Sequence, residues 1–180
     1  MAARNGPDSF GIVSRGLHWG IMLLVIAMLA LGMRISDMQP GLANLWLYGL
    51  HKTLGITVLS LMLLRLGWHL YTPPPQPVGA KGPAFWAARM VHWAFYALLI
   101  VIPLTGWAGS SATGIDVVYA ERWVLPPLVT PSIEGEAFWF RLHDILTKGL
   151  MGLIILHMLG ALQREMAGDG TLTRMLRGRA

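Results

Sequence analysis

The stretch that decides the fold is His143-Asp-Ile-Leu-Thr-Lys-Gly-Leu-Met-Gly-Leu-Ile-Ile-Leu-His157, an apolar run bounded by two histidines fourteen residues apart. On an α-helix that interval returns the second side chain to within about 40° of the first and lifts it by ~21 Å. One helix face therefore presents imidazole at two depths of a hydrocarbon layer that is ~30 Å thick. Around this helix the sequence predicts three others of similar character. The apolar spans fall at about residues 17–34, 48–70, 85–107 and 139–163, and together they account for most of the 180 residues.

Composition agrees with a membrane protein. Apolar residues make up 54% of the chain and charged residues only 13%, with a mean hydropathy of +0.54, where a soluble domain carries about 25% charge. The reading is an all-α integral membrane four-helix bundle of up-down topology, a single domain over residues 1–180. The first span is read as a retained helix, extended backward to a cap at Asp8 or Ser9, because no A-x-A-like cleavage site follows it. The net charge of +5 suits an anionic membrane face and not nucleic acid, since no basic run is interleaved with polar residues. Absence of cysteine excludes disulfides, iron–sulfur clusters, thiolate zinc sites and the covalent attachment of c-type haem.

Loop charges set the predicted orientation. Arg4, Arg15, Lys81, Arg89, Arg164, Arg174, Arg177 and Arg179 fall on one side; Arg34, Lys52, Arg122 and Arg141 fall on the other. Both termini and the stiff Thr72-Pro73-Pro74-Pro75-Gln76-Pro77 loop are thus expected in the cytoplasm. The long connection over 108–137 is expected outside, as a partly structured cap. Trp46, Trp86, Trp107, Trp123 and Trp139 lie near the span ends, as an aromatic belt does.

All six histidines, His18, His51, His69, His92, His143 and His157, lie in or at the ends of the spans, where ionisable side chains are rare and face the bundle interior. His51 matches His143 in depth, and His18 matches His157. Two imidazoles from facing helices at one depth can fill the axial positions of one haem iron, so two pairs would hold two non-covalent haem b groups. His92 is a second candidate on depth for the inner position. His69, beside Tyr71, reads as a side chain that hydrogen-bonds a neighbouring helix. Zinc or porphyrin-free iron is disfavoured, because Asp144 is the one carboxylate at a compatible depth. Gly55, Gly160 and Ala161 leave room near the candidate ligands, while Gly149, Gly152 and Gly160 read as a helix-packing face.

These residues resemble the bacterial cytochrome b561 family, di-haem membrane cytochromes related to the cytochrome b subunits of hydrogenases and formate dehydrogenases. The resemblance rests on Arg15-Gly16-Leu17-His18-Trp19, His51-Lys52-Thr53-Leu54-Gly55, Leu64-Arg65-Leu66-Gly67-Trp68, His92-Trp93-Ala94-Phe95-Tyr96, Ile102-Pro103-Leu104-Thr105-Gly106-Trp107, the His143/His157 pair and Asp169-Gly170-Thr171-Leu172-Thr173-Arg174-Met175. It covers nearly the whole chain. It implies an outer haem between His51 and His143 and an inner haem between His18 and His157. It also implies electron transfer between a membrane quinone such as ubiquinone and another donor or acceptor, one family type being a superoxide:ubiquinone oxidoreductase. One departure is that Gln163-Arg164-Glu165 stands where the family often has a further histidine.

Around such haems, Lys52 and Arg141 are candidate propionate contacts for the outer group, and Arg15 and Arg89 for the inner one. His92, Tyr96 and Arg164 are the candidate quinone site, since a quinone needs a hydrogen-bond donor and a proton route. Expected partners are the lipid bilayer, a quinone, and superoxide or a periplasmic redox protein. The alternative readings are a membrane-anchor cytochrome subunit serving such an external protein, and a small transport or scaffold bundle with no cofactor.

Overall fold

The computed structural model describes residues 2–39, 41–77 and 82–178; Lys81 and Arg179 of the charge count lie outside them. Four long helices run up and down: α1 Ile12–Ser36, α2 Leu45–Tyr71, α3 Pro83–Ala112 and α4 Ile133–Met166. Each is long and apolar enough to cross a membrane. Each also extends past the apolar span read from sequence, because hydropathy marks the hydrocarbon crossing while the helix continues into the polar interface. α1 starts after Gly11, with no side-chain cap from Asp8 or Ser9. α4 does have one, Ser132 Oγ accepting from the Gly135 N–H at 3.0 Å, and Glu134 and Glu136 in its first turn complement the helix dipole.

Few side chains are buried, and the large apolar ones point outward. Leu23, Ile26, Leu63, Leu64, Ile155, Leu156 and Leu159 are all exposed on the helix surfaces, the arrangement that lipid, rather than water, makes favourable. Inside, Ile21 and Val25 of α1, Val58 and Met62 of α2, Leu99 and Ile102 of α3 and Leu150 of α4 form one apolar layer. Leu150 lies midway between His143 and His157, so this layer separates the two histidine depths.

Close backbone packing runs in chain order, α1 on α2, α2 on α3 and α3 on α4. α4 meets α1 and α2 through side chains across a wider gap. Gly149, Gly152 and Gly160 do not form the packing face expected of them: a Cβ at any of the three would have no neighbour within 4 Å. α3 and α4 instead approach where Gly109 takes the Phe140 ring, a built Cβ there falling 2.8 Å from Phe140 Cε1.

The two ends of the bundle are closed differently. At one end lies an antiparallel hairpin, β1 Val117–Tyr119 with β2 Trp123–Leu125, in register Val117 to Leu125. Its turn uses Ala120 and Glu121 at φ of 51° and 56°, the left-handed values that a tight hairpin demands. The hairpin is the structured part of the cap expected over 108–137. It docks on the start of α2: Ala120 N–H donates to Thr53 Oγ1 at 3.2 Å, and Lys52 Nζ donates to the Asp116 carbonyl at 3.2 Å.

At the other end both termini meet. A short helix, α5 Thr171–Arg177, folds back under α1, where Phe10 N–H donates to the Gly178 carbonyl at 2.8 Å and Trp19 Nε1 to the Met175 carbonyl at 3.1 Å. The α4–α5 corner is held by Arg164 Nε on Asp169 at 2.6 Å and by Glu165, which accepts from the Leu172 and Thr173 N–H groups. Burial raises the Asp169 pKa, but hydrogen bonds from Thr171 and Arg164 outweigh that and hold the carboxyl below its usual range.

Candidate functional site

Four histidines meet in two pairs across the gap beside α4. At the hairpin end the His51 and His143 ring centroids are 6.3 Å apart; at the terminal end those of His18 and His157 are 6.4 Å apart. Two metal–nitrogen bonds of about 2.0 Å, with an imidazole radius of about 1.1 Å at each end, set two axial imidazole centroids about 6 Å apart across one ion. Both pairs have that separation. Among the described residues no group of three or more His, Cys, Asp or Glu gathers to hold a bare metal ion. A donor set of two imidazoles suits a metal whose remaining ligands come from a macrocycle.

The hairpin-end pair is the more tightly held. His143 Nδ1 lies 2.9 Å from the Ile102 carbonyl, and because a carbonyl only accepts, Nδ1 carries the proton. The Nε2 lone pair is then the one available to a metal, as in ligating histidines generally. Thr105 Oγ1 lies 3.2 Å from the same Nδ1 and donates to the same carbonyl at 2.7 Å. Pro103, inside α3, has no N–H to give to the Leu99 carbonyl, so this stretch of helix already departs from the regular ladder.

Two glycines make space for the rings. A Cβ on Gly106 would sit 3.0 Å from His143 Cε1, and one on Gly32 would sit 3.3 Å from His51 Cε1. Gly55, expected to leave such room, has only Met28 Cε near it, at 3.7 Å. His51 Nδ1 is buried with no hydrogen-bond partner among the described residues, an orphaned polar atom on a candidate ligand ring.

The terminal-end pair has richer surroundings. His92 of α3 and Phe95 both lie against His157, with ring centroids 5.5 and 5.2 Å away. The His92 separation is shorter than the span of two axial ligands, whereas that of His18 matches it. His69 Nδ1 pairs with the Tyr96 hydroxyl at 2.6 Å, which joins α2 to α3 as its sequence reading expects. Arg65 hydrogen-bonds Tyr96, and its guanidinium carbon lies 5.9 Å from the ring centroid.

The candidate propionate cations divide. Arg15 is 8% exposed and donates from Nη1 to the Leu176 carbonyl at 2.6 Å, so it ties α1 to the C-terminal end of α5. Lys52 serves the hairpin. Arg89 and Arg141 stand exposed on α3 and α4. Of the three quinone-site candidates, Tyr96 is joined to His69, Arg164 to Asp169 at the α4–α5 corner, and His92 is exposed beside His157. Sequence reading missed Arg65. Its signal was present, since Arg65 follows His51 by the same fourteen residues that separate His157 from His143.

Comparison with known proteins agrees with this architecture. Residues 9–178 match the profile of the prokaryotic cytochrome b561 family. Cytochrome b561 homolog 2 of Escherichia coli (strain K12) is 29% identical over 181 residues, covering 98% of this chain and 95% of the relative. A probable superoxide oxidase, CybB, of Yersinia pestis is 28% identical over 170 residues, covering 89% of this chain and 92% of that protein. With four spans present and the family profile matching nearly end to end, the chain belongs to the prokaryotic cytochrome b561 family, multi-pass bacterial membrane cytochromes that transfer electrons on b-type haem.

Proposed function

We propose that the chain holds two b haems, one between His51 and His143 and one between His18 and His157, and moves electrons between its hairpin face and the membrane quinone pool. The observation that carries this is the pair of equal ring separations, 6.3 and 6.4 Å, at two depths of one gap. Haem b, when bound, supplies a reversible one-electron ferric/ferrous couple. The protein does the rest. With His51 and His143, and His18 and His157, holding the two groups, no position would be left for oxygen or substrate to bind the metal, and exchange would be outer-sphere. The Ile102 carbonyl and Thr105 fix the His143 tautomer, and the apolar layer of Ile21, Val25, Val58, Met62 and Leu150 keeps water out between the two depths.

The positive-inside bias of the loop charges supports an orientation with both termini in the cytoplasm of an inner-membrane protein and the hairpin outside. By analogy with the relative named a probable superoxide oxidase, superoxide is the proposed donor at the hairpin face. Two superoxide anions each lose one electron and leave as dioxygen; one quinone takes both electrons with two protons and becomes quinol. Lys52 and Arg141, within two residues of His51 and His143, are the proposed local cations for a small anion on a face that also carries Glu121, Glu134 and Glu136, so the on-rate is expected to fall as salt rises. The quinone contact is proposed at His92, exposed beside His157, with Tyr96 one turn away. Arg164, engaged by Asp169, is assigned to the α4–α5 corner instead.

A second reading is favoured by the hairpin's exposed Trp123 and Val124, an apolar patch suited to an external redox protein. In that case the chain is a membrane-anchor cytochrome. Haem stoichiometry by pyridine haemochromogen, with reduced-minus-oxidised spectra, tests the core of the proposal. Two low-spin b haems are expected, with one lost in His51→Ala and the other in His157→Ala; a colourless protein that folds normally would overturn it. Quinone reduction by superoxide with the purified chain alone separates the two readings, since an anchor subunit would need its partner.

A further inference from the structure

Arg65 is a cation inside the bundle with no carboxylate paired to it among the described residues. The fourteen-residue interval from His51 puts it on the same face of α2 and ~21 Å further along, at the depth of His157. Its charge reaches His18, His92, His157 and His69 electrostatically. Its Nε is buried without a hydrogen-bond partner among the described residues, and its contact there is the Tyr96 side chain. Among the described residues the side-chain ion pairs are Lys148–Asp144 and Arg164–Asp169, and neither involves Arg65.

Snorkelling to the interface does not account for this placement. Arg65 lies six residues inside the end of α2 at Tyr71, about 9 Å from it, and its guanidinium is held over the Tyr96 ring. A cation kept at this depth is costly unless an anion compensates it. The described residues provide none here, which leaves a bound ligand to supply it.

We propose that Arg65 binds a carboxylate of the haem held by His18 and His157, with Tyr96 and His69 fixing its guanidinium, and that its charge favours the reduced state of that haem alone. The proposal rests on the two-haem reading above. Arg65 is a positioning and tuning residue, and it takes the role that the sequence reading gave to Arg15, whose Nη1 is given to α5.

The test is a spectroelectrochemical titration of purified wild type, Arg65→Gln and Arg65→Lys, with His51→Ala and His157→Ala to assign the two redox components. Haem content and redox-induced infrared difference spectra of the propionate bands are recorded alongside. In Arg65→Gln we expect both haems retained and the component that His157→Ala abolishes shifted to lower potential. The expected shift is at least tenfold in its reduced-to-oxidised ratio, about 59 mV for one electron. The other component stays in place, and the propionate bands change. Arg65→Lys is expected to hold the inner component within threefold of wild type.

Two retained haems with neither potential nor propionate bands altered in Arg65→Gln would overturn the Arg65 assignment and leave the two-haem reading standing, as would an equal shift of both components. A wild type with one haem, lost in His51→Ala and kept in His157→Ala, would overturn both. Should Arg65→Gln not assemble, Arg65→Lys decides: both haems at near wild-type potentials support the charge contact, and failure of this variant as well overturns it.

Discussion

At the hairpin end, His143 is fixed by the Ile102 carbonyl and Thr105, backed by Gly106, and paired with a His51 that Gly32 accommodates. At the terminal end, His157 sits among His18, His92, Phe95 and the charge of Arg65. The ring separations agree to 0.1 Å, yet one level is held by backbone and glycine while the other is surrounded by groups that carry charge or protons. A site fixed by backbone sets geometry; a site lined by ionisable side chains sets potential and handles protons. That division fits the proposed electron path, from a small oxidisable anion at one face to a proton-requiring quinone at the other.

Replacing Gly106 is the sharpest way to break the comparison. A Cβ there falls 3.0 and 3.1 Å from His143 Cε1 and Nδ1, and a branched side chain has nowhere to go. Gly106→Val is expected to abolish the outer haem signal while the inner one persists, whereas Gly149→Ala, whose Cβ meets nothing within 4 Å, keeps both. Reduced-minus-oxidised spectra of the two variants decide it. Equal loss of both haems in Gly106→Val would mean that the glycine serves helix packing throughout, and not one level.

His92→Ala comes next. The 5.5 Å separation from His157 is too short for the pair to share one metal axially, so both haems are expected to remain. Quinone reduction is expected to fall about 100-fold, the lower end of the range that removal of a positioned proton donor produces. Loss of the inner haem would make His92 the ligand in place of His18; unchanged haem content and unchanged quinone reduction would make it structural.

Much of this was legible in the sequence. Four apolar runs give the helices, and the His143/His157 interval converts residue number directly into depth and face, because a helix has a fixed pitch. What the sequence left hidden depends on partners from other helices. Gly106 and Thr105 matter only because α3 packs on α4, and nothing local to Arg15 says that the C-terminal end of α5 returns to its guanidinium. Gly149, Gly152 and Gly160 read as a packing face by a small-residue pattern that here meets no helix. Arg65 obeys the interval that relates the two histidines of α4, a cation fourteen residues after His51 on the neighbouring span, so its depth is legible in the sequence while its contact with Tyr96 is not.

Thr105→Val refines the outer level with a smaller effect. It removes the Oγ1 that lies 3.2 Å from His143 Nδ1, while the bond to the Ile102 carbonyl at 2.9 Å remains. Loss of such a supporting contact costs about 10-fold at the lower end of the usual range. The outer haem should therefore be retained but lost about tenfold faster to a haem acceptor such as apomyoglobin, with the inner haem unaffected. An equal change at both haems would remove the claim that the outer level is the one set by its supporting hydrogen bonds.

The smallest effect belongs to the α4–α5 corner. The Asp169 pKa is lowered on folding, since hydrogen bonds from Thr171 and Arg164 outweigh the cost of burial. A depressed carboxylate pKa means that the corner's contribution is fully present above the ordinary aspartate range and is lost as the pH falls through the lower, folded value. Asp169→Asn should remove that acid dependence and increase proteolysis between α4 and α5 at neutral pH, with both haem spectra intact. Because Arg15 and Trp19 also hold α5, through the Leu176 and Met175 carbonyls, the loosening should stay local to the corner. A disturbed inner haem in Asp169→Asn would instead tie the corner to the terminal-end site, and would place Arg164 back among the residues that shape it.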